Sequence, residues 1–122
     1  MKTVAVDFDG VIAEYYHFRG KGVFGPPVKG VVEELIKLKR LCWRIIINTT
    51  RSETWLVKEY LNKYGIPWDF VNYNPENHTR DLSPSKIIAD VYIDDRAIAF
   101  DGEWKGMAKR VDSFKPWYRR TQ

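Results

Sequence analysis

The hydrophobic pattern of this chain changes period from one stretch to the next. Lys2 to Phe8 is an almost unbroken apolar run, the pattern of a strand covered on both faces. After Pro27, Val28, Val31, Val32, Leu35 and Leu38 recur at helical spacing with Glu33, Glu34, Lys37 and Lys39 between them, which predicts an amphipathic helix. Trp43 to Ile47 is a second short run, rich in β-branched residues and ending in the polar Asn48-Thr49-Thr50-Arg51. Ser52 is placed to cap a following helix with Leu56, Tyr60, Leu61 and Tyr64 on one face, and Gly65 with Pro67 stops it. A third strand is expected at Asp69 to Asn72, followed by a polar loop from Tyr73 to Leu82. Ser83-Pro84-Ser85-Lys86 has the composition of a helix start, with Ser83 as cap and Pro84 in the first turn. Val91 to Ile93 reads as a further strand leading into Asp94-Asp95-Arg96, and Trp104 to Val111 as a last amphipathic stretch weakened by Gly106.

Strands alternating with helices predict a Rossmann-like α/β sandwich, with a central, mainly parallel sheet and helices on both faces. Such sheets bind ligands outside the carboxyl ends of their strands. The polar residues of interest fall there: Asp7 and Asp9 after the first strand, Thr49 after the second, Asp94 and Asp95 after a later one, with Lys86 at the expected helix start just before it. A cation at a helix start opposes the helix dipole unless it helps to hold an anion. The segment Val11 to Pro27 is too short for a domain and is expected to form a small hairpin or flap over the carboxylates. His17, Arg19 and Lys21 are its polar contacts, with His17 read first as a surface or packing residue.

Composition narrows the picture. The 122 residues fit one domain, residues 1–122, with no cap domain. The single Cys42 cannot form an internal disulfide, and its place beside Trp43 suggests a buried, inert thiol in a cytoplasmic protein. No stretch resembles a signal peptide or a membrane span. The formal charge of +4 favours anionic substrates without requiring nucleic acid. The basic, aromatic tail Lys115-Pro116-Trp117-Tyr118-Arg119-Arg120 reads first as a solvated or docked terminus, and second as a grip for phosphates and bases.

The chemistry concentrates in Asp7-Phe8-Asp9-Gly10-Val11. Alternate residues of a strand share a face, so Asp7 and Asp9 can point to the same side, and Gly10 permits a sharp turn after them. Two carboxylates on one short edge repel unless a cation or a shared proton lies between them. A strand ending in a solvated Asp-x-Asp-Gly turn is the plain alternative for this fragment alone.

In this order the residues resemble the haloacid dehalogenase superfamily of aspartate-nucleophile phosphohydrolases. Asp7-Phe8-Asp9-Gly10-Val11 is similar to its first motif, Thr49 to its second, Lys86 to its third and Asp94-Asp95 to its fourth, a match that spans nearly the whole chain. Ile47 to Arg51 and Tyr92 to Arg96 look most like the small capless hydrolases of bacteria and phages. The resemblance implies an Mg²⁺-dependent phosphatase acting on phosphate monoesters through an aspartyl-phosphate. It implies Asp7 as nucleophile and Asp9 as proton donor and then base. Thr49, with Thr50 as its alternative, would contact a phosphoryl oxygen, and Lys86 would offset charge. Metal ligands would be Asp7, the backbone carbonyl of Asp9, and Asp95, with Asp94 binding directly or through a water. Arg51, Arg96, Arg19 and Lys21 are candidate substrate contacts. The open site implies a bulky phosphorylated substrate, nucleotides or polynucleotide ends first, or closure by another subunit of an oligomer.

Two other functions use similar residues. A signalling receiver module also gathers acids, a Thr and a Lys at this edge, as a phosphoacceptor switch; the second acid of Asp-x-Asp favours turnover instead. A nucleic-acid-end or protein-binding protein with a residual hydrolase site ranks below the enzyme.

Overall fold

The computed structural model describes residues 1–83 and 85–120. The apolar run at the start becomes strand β1 (Thr3–Asp7), which lies inside a parallel sheet between β2 (Arg44–Asn48) and β4 (Val91–Ile93), with β3 (Phe70–Val71) beyond β2. Helices α1 (Val31–Arg40), α2 (Thr54–Lys63), α3 (Pro75–Thr79) and α4 (Met107–Asp112) alternate with or follow the strands, and a 3₁₀ turn spans Trp117–Arg119. This is the Rossmann-like α/β architecture that the alternation predicts. No helix among the described residues is long and apolar enough to cross a membrane.

Register and alternation divide the core. Val4 pairs with Ile45 and Val91, and Val6 with Ile47 and Ile93. Val4, Val6, Phe8, Ile45 and Ile47 pack with Leu35 of α1 and with Val57, Tyr60 and Leu61 of α2. Alternate residues Ala5 and Ile46 turn the other way, towards Ile87 and Ala89. α3 organises that second cover: the Asn77 side chain accepts from the Ile88 N–H at 2.9 Å and donates to the carbonyls of Ser83 and Lys86 at 2.9 and 2.7 Å. Phe8 anchors the end of β1, fully buried and edge-on to Phe24 and Tyr60 at 5.3 and 5.1 Å between ring centres.

The strand order β3-β2-β1-β4 carries the main consequence for function. The chain steps outward from β1 to β2 to β3 and then returns to the other side of β1, so the order reverses between β1 and β4. A crevice opens at the carboxyl ends on such a reversal, and ligands of open α/β sheets sit there.

Several local expectations are corrected. Ser52 does not cap α2; its hydroxyl donates to Glu53 at 3.0 Å, and Glu53 occupies the cap position without a side-chain bond. The expected polar loop from Tyr73 to Leu82 contains α3, capped by Asn74, whose side chain accepts from the Glu76 N–H at 3.0 Å. The helix start at Ser83 and Lys86 is absent: Ser83 Oγ accepts from the Ser85 N–H at 3.2 Å, but the turn does not propagate, because Asn77 ties down Ser83, Lys86 and Ile88. Pro84 lies outside the described residues. The last helix starts only at Met107, with Gly106 as its N-cap rather than an interior residue. Between Val11 and Pro27 the chain makes a hairpin-like excursion closed at its neck by an antiparallel bridge from Ala13 to Pro27.

Cys42 is exposed, not buried. It follows α1 at the position where the chain turns left-handed (φ 66°), with its N–H donating to Lys39 O at 2.9 Å and the Trp43 N–H to Leu38 O at 3.0 Å. The same pair of bonds closes α2, where Gly65 takes the left-handed place. A side chain in this conformation is thrown outward and strained. Cys42→Gly is therefore expected to stabilise the protein by about 1 kcal/mol, read as a higher denaturant midpoint at unchanged slope.

Candidate active site

Asp7 is the last residue of β1, and the chain then folds tightly on itself. The Phe8 carbonyl accepts from the N–H groups of Ile12 and Ala13 at 2.9 and 3.0 Å, and the Gly10 N–H donates to Ala13 O at 2.8 Å. Gly10 has φ 85°, and a Cβ there would run into the Asp95 carboxylate and the Tyr118 ring, so both conformation and space require glycine. With Phe8 turned into the core, Asp7 and Asp9 face the crevice together. They line a cleft of about 550 Å³ with Thr49, Thr50, Arg51, Asp94, Asp95 and Arg96. With Lys21, which also lines it, the structure thus brings together nine residues that the sequence singles out.

Carboxylate oxygens of Asp7, Asp94 and Asp95 lie within 4.8 Å of one another. Asp94 also accepts from the Arg96 N–H at 2.8 Å, a local turn that fixes the loop after β4. Burial, then a hydrogen bond with Asp95 and the charges of Asp94 and Asp95, push the Asp7 carboxyl up to about 8, against a smaller opposing pull from the Phe8 N–H. An all-oxygen set that resists ionising together is the donor chemistry of a hard divalent cation such as Mg²⁺, so these residues fit a metal.

Asp9 is treated differently. Arg51, its side chain 5% exposed, grips both carboxylate oxygens: Nε donates to Oδ2 at 2.8 Å and Nη2 to Oδ1 at 3.0 Å. The guanidinium also donates to Gly20 O at 3.3 Å and Val23 O at 3.1 Å, and stacks 4.6 Å from the Phe24 ring centre. Arg51 was expected to contact substrate; its donors are committed first to Asp9 and to Gly20 and Val23 within the hairpin-like segment.

Thr49 is held from outside its own loop. Its N–H donates to Asn72 Oδ1 and its carbonyl accepts from Asn72 Nδ2, both at 2.8 Å, while its hydroxyl accepts from the Arg51 N–H at 3.1 Å. Thr50 is exposed at the cleft rim. Lys86 stands apart: its ammonium lies 5.2 Å from the Tyr92 ring centre, in a neighbouring hollow that it shares with Asp94. Lys21 reaches the cleft and lies 3.6 Å from Glu53, whereas Arg19 and His17 are exposed and do not line it.

Sequence reasoning missed Tyr15, Phe18 and Glu53 as lining residues, Asn72 as the brace of Thr49, and Tyr118. Burial accounts for the last: Tyr118 is 3% exposed and its hydroxyl accepts from Arg96 at 3.2 Å, a contact made from far along the chain.

No protein-family model matches the chain, and no curated protein does. Two solved structures resemble it. One, a conserved protein from Bacteroides thetaiotaomicron, is 29% identical over 95% of this chain and 93% of that one, with a TM-score of 0.64. The other, a structural-genomics target from Vibrio cholerae, is 20% identical over 92% of this chain and 98% of that one, with a TM-score of 0.53. Both support the fold; the functional reading rests on the site itself.

The electrostatics generate a pH dependence. The Asp7 carboxyl binds its proton more tightly in the folded protein than at its ordinary value of 3.8, so the folded state holds more protons between those limits and stability falls as pH rises towards 8. In EDTA the melting temperature should drop steadily from about pH 5 to about pH 8, and Asp7→Asn should flatten that slope and melt several degrees higher at the alkaline end.

Proposed function

We propose that this protein is an Mg²⁺-dependent phosphatase of phosphate monoesters, a small capless hydrolase of the haloacid dehalogenase type. The observation that carries the reading is the meeting of Asp7 at the end of β1 and Asp9 in the turn after it with Asp94 and Asp95 from the loop after β4, in one cleft beside Thr49. Asp7, Asp94, Asp95 and the Asp9 carbonyl would hold the metal. When bound, the ion neutralises phosphate charge and lets Asp7 ionise at neutral pH.

Asp7 then attacks phosphorus in line, its oxygen forming a bond as the ester oxygen leaves, to give an aspartyl-phosphate. Asp9 supplies the proton to the departing oxygen and takes one back from the water that attacks the acyl phosphate, releasing phosphate and regenerating Asp7. Both Asp9 oxygens accept from Arg51 in the resting site. Proton delivery requires one of those bonds to be released as the anionic phosphate enters. The Thr49 hydroxyl is within the cleft to bond a phosphoryl oxygen. Lys86 would have to leave the Tyr92 ring to offset phosphoryl charge from the neighbouring hollow.

Tyr15, Phe18, Lys21 and Arg96 line the cleft, so aromatic and basic contacts await a group larger than phosphate. Nucleotides or polynucleotide ends suit that lining. In competition assays such substrates should exceed small sugar phosphates in kcat/KM; a large margin for sugar phosphates would reverse the assignment.

Asp7→Asn should fold normally by circular dichroism yet lose turnover of an aryl phosphate on the order of 10³-fold or more, since an amide cannot attack phosphorus. Near wild-type activity would remove Asp7 as nucleophile. A phosphorylated chain that accumulates without turnover would favour the receiver-like switch over the enzyme.

Millimolar Mg²⁺ should raise the melting temperature above its value in EDTA, and Asp95→Ala should lose both that shift and the activity. Full activity in protein shown to be metal-free would overturn the metal-dependent mechanism.

A further inference from the structure

The tail beyond α4 is docked over the acids rather than solvated. Trp117 Nε1 donates to the Gly10 carbonyl at 2.6 Å, and Arg119 Nη2 to the Tyr16 carbonyl at 2.7 Å. Between them Tyr118 is buried, with Tyr15 and Tyr16 edge-on to its ring at 6.0 Å each. A short basic, aromatic segment is thereby fastened at three successive residues, two of them onto backbone carbonyls of the stretch that follows Asp9.

Asp95 shares its cluster with Asp7 and Asp94, and its carboxylate and the edge of the Tyr118 ring border the same space beside Gly10. The neighbouring Asp94 is fixed by the Arg96 N–H at 2.8 Å. Charge repulsion from Asp94 acts to swing Asp95 outward. Tyr118 opposes that motion and is itself held by Arg96 at 3.2 Å.

We infer that the C-terminal turn is a clasp on the metal pocket, and that Tyr118 is a positioning residue for the metal ligand Asp95. The inference rests on the metal reading of the cleft. Outer partners of a ligand fix its direction and commonly govern metal affinity by ten- to a hundredfold. Trp117 does the complementary job on the Asp9-Gly10 turn, so ligand groups from the two sides of the crevice are pinned by one segment.

The test is Mg²⁺ binding to the full chain, by calorimetry and by Mg²⁺-titrated melting, for wild type, Tyr118→Phe and Trp117→Phe. Phenylalanine keeps each site's aromatic packing while removing the single polar group. Tyr118→Phe should weaken Mg²⁺ binding on the order of tenfold, with the melting temperature in EDTA unchanged. Wild-type Mg²⁺ affinity in that variant overturns the clasp while leaving the metal site standing. If Tyr118→Phe also melts lower in EDTA, Trp117→Phe decides: weakened Mg²⁺ binding supports the clasp and wild-type binding overturns it. Absence of Mg²⁺ binding in wild type overturns the metal reading, and the clasp with it.

Discussion

Three carboxylates whose oxygens approach within 4.8 Å oppose one another's ionisation, and here the sheet leaves them little freedom to part. Asp7 is held by the central strand, in register with Asn48 of β2, while Asp94 and Asp95 follow directly from β4, the strand on the other side of β1. The backbone order that stabilises the core thus fixes the electrostatic conflict in place. Relief has to come from outside the acids: a proton on Asp7 in the metal-free protein, or a divalent cation among all three.

The second acid of Asp-x-Asp escapes this conflict by taking a different partner. Arg51 comes from the loop after β2, is buried, and neutralises Asp9 through two bonds while also tying the loop to Val23 within the 11–27 segment. Two acids that look equivalent in sequence therefore sit in opposite environments, one crowded by negative charge and one matched with positive charge. Divergent environments of this kind separate the roles of paired carboxylates.

How much of this was legible in the chain depended on whether burial was signalled by apolar side chains. β1, β2, α1 and α2 carry apolar or amphipathic patterns that mark burial, while β4 is an exposed three-residue apolar run marked by its β-branched residues, and each was found within a few residues of its place. α3 has five residues and turns Asn77, not a hydrophobic residue, inward, so no periodicity marked it. The same asparagine overrode the capping signal at Ser83 by claiming the carbonyls of Ser83 and Lys86. Cys42 was misplaced because an apolar neighbour says nothing about a left-handed turn. Among the site residues, the strand-borne acids and Thr49 followed from topology alone. The Arg51 pairing and the docking of Tyr118 are contacts between segments far apart in sequence, and local patterning carries no record of them.

The acids at the other edge of the sheet show why position along a strand, rather than charge, separates function from structure here. Asp90 Oδ2 accepts from the Thr3 N–H at 2.7 Å at the start of β1. Asp69 Oδ2 accepts from the Ile45 N–H at 2.7 Å and from Lys39 Nζ at 2.8 Å near the start of β2. At the amino ends of the strands a carboxylate finds backbone N–H groups at the sheet margin and is satisfied by them. At the carboxyl ends Asp7, Asp94 and Asp95 meet one another instead, with the Phe8 N–H giving Asp7 only partial compensation. The same residue type is a structural fastener at one edge and an unmet demand for positive charge at the other, and only the second arrangement has chemistry left to offer a ligand.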